Sequence, residues 1–378
     1  MSRDLILVAF ALMTWGVGEG MFLFFEPLYL QEMGASPLEI GAILGGVGIA
    51  MTIAYLPAGY LSDRFGRRPM LVSAWILGTT ATWVMALSRT LPIFVLGIGL
   101  YGFTSFVVVP LNSYITAARG KWSVARAITF ISAAFNFGAI LGPLLGGWIG
   151  EQVGLHFSFL AAAFIFLLST SIILFIRPQP VEISSFDRGR FGFGGLLNER
   201  FMRYLVVIFF VMFAMYLPQP LSQNFLQNER GISLFQIGQL ISARSAGIVI
   251  LNLTLGQLNA RIGFIIAQAA MAMFTILIWH GTSFYHYALG YLLLGSYQTA
   301  RSLAVAQGRA LTQASNMGMA YGMIETVMSL AIILAPPLAG YLYTQNPVWI
   351  YSFSTMLIIL SILITFFFSP LKASDFSS

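Results

Sequence analysis

The sequence predicts an all-α integral membrane protein of twelve transmembrane helices in two six-helix bundles related by a pseudo-two-fold axis. Three observations carry this: a composition too apolar for water, twelve apolar runs of spanning length, and a repeat relating the first six runs to the last six. Of 378 residues, 58% are hydrophobic and 8% charged, whereas a soluble domain carries about a quarter of its residues as Asp, Glu, Lys and Arg. With 19 basic and 13 acidic residues, no charged shell can cover so apolar a core, and the bilayer is the remaining solvent. The net charge of +6 does not point to nucleic acid, because the basic residues lie in short clusters between apolar runs. The absence of cysteine excludes disulfides, thiolate catalysis and cysteine-ligated metals.

The first apolar run, about 5 to 30, follows Met1-Ser2-Arg3-Asp4 and has no small-residue cleavage signature, so it is read as a retained helix. Five more follow at about 38–61, 70–88, 91–115, 127–149 and 155–176, each near the roughly 20 residues that span the hydrocarbon. The second six lie at about 203–226, 234–258, 264–284, 286–308, 321–343 and 348–369. Between the sets, residues 177–200 form the one long polar, Gly-rich stretch. The expected organisation is therefore an N-terminal bundle over 1–176, a cytoplasmic linker over 177–200 and a C-terminal bundle over 201–378. With the amino terminus in the cytoplasm, 15 basic residues fall on that side and only Arg89 and Arg230 outside, while Arg244 and Arg301 lie within helices. That bias predicts a multi-pass protein of the plasma or inner membrane with both termini cytoplasmic.

The halves repeat. Ser36, Ile40, Gly41, Gly59, Leu61, Arg64 and Gly66 fall without a gap on Ser233, Ile237, Gly238, Gly256, Leu258, Arg261 and Gly263, and ILGPLLGGWI (Ile140 to Ile149) falls on ILAPPLAGYL (Ile333 to Leu342). Both matches pair the second run with the eighth and the fifth with the eleventh in the same orientation, a parallel six-plus-six repeat.

At GYLSDRFGRRP, residues Gly59, Asp63, Arg64, Gly66, Arg67 and Arg68 occupy a pattern that resembles the conserved loop between helices two and three of the major facilitator superfamily. The second-half copy keeps Gly256, Arg261 and Gly263 but has Ala260 in place of the acid. The resemblance implies a secondary transporter working by alternating access, with helices 1, 4, 7 and 10 lining a cavity and 3, 6, 9 and 12 outermost. It implies that the loop is a cytoplasmic clasp. Physically, Gly59 permits close helix approach, Asp63 can meet the positive end of another helix, and Arg67 can pair with Asp63. In the fifth run, Gly138, Gly142, Pro143, Gly146 and Gly147 resemble the family's glycine–proline motif of drug-exporting antiporters, and the same spacing allows close packing and a bend. The fourth run departs from many proton-coupled exporters of the family in having no mid-helix arginine.

Ionisable residues within the membrane mark function, since each costs at least a few kcal/mol unless paired or hydrated. Here they are Glu19 and Glu26 in the first run, Arg244 in the eighth, Arg301 in the tenth and Glu325 in the eleventh. Glu19 and Glu26, two turns and about 10 Å apart on a continuous helix, share a face with Trp15, Phe22 and Tyr29. Glu19 lies near mid-membrane and is the foremost candidate proton carrier, with Glu26 and Glu325 as further candidates; Glu26 is expected nearer the outside and solvated. Arg244 matches Glu19 in depth and can pair with it, while Arg301 and Glu325 are expected to neutralise each other. A cavity is expected from Trp15, Phe22, Tyr101, Asn112 and Asn136 in the first half and Tyr216, Gln223, Arg244, Tyr297 and Arg301 in the second, an apolar wall with polar tips.

The glycines at 41, 45, 46 and 48 lack the flanking strand of a nucleotide loop. His156, His280 and His286 are too scattered to propose a metal site. No nucleophile, base and orienting acid can be assembled, so an enzyme is not expected, nor any cofactor. The expectation is a monomeric transporter whose partners are the bilayer, a small molecule and protons. Its foremost form is a proton-coupled exporter of an organic or amphipathic solute. The alternatives are an importer or symporter of a small anionic metabolite and a lipid flippase.

Overall fold

A computed structural model describes residues 2–179, 199–311 and 317–368, apart from the side chains of 56–60, 63, 109, 125, 309–310, 317–319 and 368. The regular elements are helices: α1 (Arg3–Phe22), α2 (Glu26–Glu32), α3 (Pro37–Phe65), α4 (Arg67–Leu87), α5 (Leu91–Phe103), α6 (Val108–Ala118), α7 (Val124–Val153) and α8 (Leu155–Ile173). They continue as α9 (Glu199–Tyr216), α10 (Ser222–Arg230), α11 (Leu234–Leu255), α12 (Ala260–His280), α13 (Phe284–Leu294), α14 (Ser296–Ala310), α15 (Met317–Gln345) and α16 (Trp349–Phe368). Among the described residues, nine helices are long and apolar enough to cross a membrane, ten with the pair formed by α5 and α6, bent by 42°.

Run one, Arg3–Glu32, is counted among the nine although a short turn interrupts it, and runs seven and ten, which fall outside the count, are also helical but broken. Runs one, four, seven and ten, every third, are split as α1/α2, α5/α6, α9/α10 and α13/α14. The causes are local. Pro27, Pro110, and Pro218 with Pro220 stand at or just past the first three breaks, and each proline removes an amide donor and crowds the carbonyl four residues back. At the fourth, Gly295 lies against the backbone of α11, where a Cβ would come 2.6 Å from Gly247 C and 3.0 Å from Arg244 O.

The chain divides into two compact units: Met1–Ala35, Gly46–Ser185 and Ile232–Ser242 form one, and Ser36–Gly45, Phe186–Gly231 and Ala243–Ser378 the other. Packing repeats between them. In the first unit α1 packs on α7 and α8, and α4 on α8; in the second, α9 packs on α15 and α16, and α12 on α16. Polar side chains staple α4 to α8, where Trp75 Nε1 donates to Ser169 Oγ (2.9 Å) and Thr79 meets Thr170 (2.6 Å), and α8 to α1, where Ser169 Oγ donates to Ala11 O (2.6 Å). The equivalent α12–α16 pair is held by Ser361 donating to Gln268 Oε1 (2.7 Å), Gln268 Nε2 donating to Thr365 (3.0 Å), and Thr275 meeting Thr355 (2.7 Å). Large apolar side chains such as Leu87, Leu168, Val206 and Phe367 are exposed instead. Polar contacts inside and hydrocarbon outside is the arrangement a lipid solvent selects.

Candidate functional site

The first unit contains an open cavity of about 470 Å³, a volume typical of small-molecule sites. Trp15, Glu19, Glu26, Tyr101 and Asn112 all line it, together with Tyr55, Trp75 and a majority of apolar residues. The break in the first run shapes it. Pro27 stands just past the end of α1, the turn at Leu23–Phe25 interrupts the helix, and Glu26 starts α2 and lines the same space as Glu19.

The two carboxyl groups are held differently. Trp15 Nε1 donates to Glu19 Oε2 at 3.1 Å, and Tyr101 lies close to the same carboxyl. Trp15 and Tyr101 stack at 6.1 Å and 23°, so the neighbours of Glu19 are themselves fixed by packing. Glu26 is only 3% exposed, and its Oε1 has no hydrogen-bond partner among the described residues. The expectation of a solvated Glu26 near the outer end is thus corrected: position along a helix gives depth, whereas the break and the neighbouring helices decide burial.

Two sequence-predicted residues of this half stand apart from the cavity. Phe22 is fully buried and packs edge-on to Tyr101 at 4.9 Å and beside Phe159 and Phe166. Asn136 turns back along α7 and donates to Ser132 O at 2.8 Å, while Ser132 itself lines the space. Trp75 of α4 is a lining residue that sequence reasoning missed, because it belongs to the third run, one of those that the family resemblance places outermost.

In the second unit, Arg244 lies among Tyr216, Tyr291 and Tyr297, and the rings of Tyr216 and Tyr297 are 5.5 Å apart. Gln223 is buried and accepts from Ser222 Oγ at 3.2 Å, the same hydroxyl that meets Tyr291 at 3.0 Å. The expected pairing of Arg301 with Glu325 is formed, at 2.5 Å.

The fifth-run glycines form a backbone seam. Cβ atoms at Gly138, Gly142 and Gly146 would collide with Met13 O, Val17 O and Met21 O of α1, and Gly16 and Gly20 of α1 face Phe135 O and Pro143 in return. The repeat reappears here as equivalent contacts. Gly238 abuts Pro143 O as Gly41 abuts Pro336 O, and Gly147 abuts Leu234 O as Gly340 abuts Pro37 O. α7 runs unbroken through Pro143.

In the loop motif, Gly66 takes φ +88° between α3 and α4, a conformation that favours glycine. Arg68 donates from Nε to Ile176 O (2.7 Å) and from Nη2 to Leu174 O (3.1 Å), capping the carboxyl end of α8. Arg67 donates to Gln179 Oε1 at 3.3 Å, and Arg64 lies over the Phe65 ring. Gly59 and Asp63 fall outside the described side chains, and most of the linker, 180–198, outside the described residues.

The family model described as Major Facilitator Superfamily matches residues 8–221 and 204–377. The quinolone resistance protein NorA of Staphylococcus aureus is 23% identical over 190 residues, covering 50% of this chain and 49% of that protein. The chain thus spans about half the length of the curated relatives it matches. In fold it resembles a point mutant of the nucleoside transporter NupG (TM-score 0.84, 13% identity, 97% and 100% of the two chains covered) and a D-xylose–proton symporter (TM-score 0.74, 15% identity, 97% of each).

Proposed function

This chain belongs to the major facilitator superfamily, and on that footing we propose that it exports a small organic or amphipathic solute in exchange for protons by alternating access. The observation that carries the proposal is the cavity in which Glu19 and Glu26 face one mostly apolar space. A carboxyl group in such surroundings is a natural proton site. The similarity to a quinolone resistance protein supports export, and the fold shared with a proton symporter supports proton coupling. Purified protein in liposomes is expected to accumulate solute when the interior is acid. Accumulation only with the exterior acid would instead support a symporter of a small anionic metabolite, with Arg244 among its tyrosines as the anion contact. Movement of a labelled lipid in place of any soluble solute would support a flippase.

Both termini and the 177–200 segment are proposed to face the cytoplasm, from the distribution of arginine and lysine. Cysteines introduced at residue 190 and at the carboxyl terminus, in a chain that has none, are expected to resist impermeant maleimide in intact cells and to react after lysis. Labelling of either in intact cells would overturn the topology.

A further inference from the structure

We propose that the cavity of the first unit is a binding site for a monovalent organic cation, an ammonium carried on an aromatic or branched apolar body, with Glu26 as its counter-ion. The proposal rests on the transport reading above and narrows it to a substrate class.

Three features converge. First, Glu26 is buried to 3% exposure, lines the cavity, and leaves Oε1 without a hydrogen-bond partner among the described residues. A buried carboxylate with an idle oxygen is costly until a proton or a cation meets it. Second, no Lys, Arg or His lines the cavity among the described residues, so the two acids are not offset by a basic wall. An anionic solute would face two carboxyl groups with no positive partner. Third, aromatic rings of Trp15, Tyr55, Trp75 and Tyr101 border the space, and ring faces attract cations.

The acids then divide the work. Glu19 is occupied by Trp15, which stacks on Tyr101, so Glu19 is a positioning residue for the aromatic wall as well as the candidate proton site. Glu26 is the one with an oxygen left without a partner among the described residues. A metal ion fits poorly: hard cations require about six or more oxygen ligands, and no cluster of metal-binding side chains occurs among the described residues.

The test uses the full chain in lipid nanodiscs at one neutral pH, titrated with three probes that share a biphenylmethyl body: a trimethylammonium, its uncharged tert-butyl isostere and a carboxylate. On the unaltered chain the ammonium is expected to bind at least about tenfold more tightly than the isostere, and the carboxylate not to bind. Glu26→Gln is expected to bring the ammonium down to the affinity of the isostere while the isostere's own binding is unchanged, which also reports that the cavity is intact. Equal binding of ammonium and isostere on the unaltered chain, binding of none of the three, or a preference that survives Glu26→Gln, would overturn the proposal; the first two need no variant to fold. Flux separates this from the broader reading. A cation preference with no movement of the ammonium under a pH gradient keeps the site and sinks proton-coupled export, whereas gradient-driven flux of the isostere without any cation preference does the reverse.

Discussion

Replacing Glu19 with Gln is expected to reduce solute flux driven by a pH gradient to the level of protein-free liposomes, while solute exchange without a gradient continues. Glutamine copies the neutral acid in shape, and its Oε1 can still accept from Trp15 Nε1, the contact seen at 3.1 Å. The cavity should therefore keep its form and lose only the group that exchanges a proton. Driving and binding would come apart, which is the signature of a coupling site and not of a structural one. If Glu19 were instead the static ion partner of Arg244, the same change would leave a buried arginine uncompensated at a cost of several kcal/mol, and Arg244→Gln in the same chain should restore stability. Flux, counterflow and thermal stability, measured for the single and double variants, distinguish the two. Proton-driven flux persisting in a stable single variant would sink Glu19 as carrier and move the role to Glu26 or Glu325.

The largest effect on stability is expected at the α1–α7 seam. A Cβ at Gly138 would overlap Met13 O and lie 2.8 Å from Val17 N. Both are backbone atoms of a helix that also packs against α8, so neither can yield as a flexible side chain would. Gly138→Ala is expected to destabilise the protein by about 1–3 kcal/mol or more, seen as a lowered melting temperature and loss of monodisperse protein in detergent. Gly46→Ala is the control: nothing lies within 4 Å of the added methyl, and alanine is favoured over glycine in a helix by about 1 kcal/mol. Equal melting of the two variants would refute the seam as a backbone-to-backbone contact. The spacing of Gly138, Gly142 and Gly146 thus has a physical function as close packing, whatever the direction of transport.

The pairing of the repeats is legible in the sequence because it is written in residue identity: Gly41 matches Gly238, and Pro143 matches Pro336. What those residues do is not. That Gly41 and Gly238 each abut the proline of a matching helix depends on where distant segments are brought, and a repeat reports equivalence without contact. Arg68 shows the same limit. Its place in a basic loop predicts a side of the membrane, but its bonds to Leu174 and Ile176 require α8 to end beside it. Arg301 and Glu325 are legible as a pair because two opposite charges at one depth in neighbouring helices have little alternative in hydrocarbon, and they meet at 2.5 Å.

By itself the sequence determined the solvent of this protein, the positions of its helical runs and its internal repeat, because hydropathy and charge act residue by residue against the bilayer. Only the tertiary structure decided that every third run is broken, that Phe22 packs while Trp75 lines the cavity, and that Glu26 is buried with an oxygen left without a partner among the described residues while Glu19 is held by Trp15. Burial and hydrogen bonding are set by side chains that lie far apart in the chain and a few ångströms apart in the fold, as the bond from Trp75 to Ser169 illustrates, and no local pattern encodes that distance.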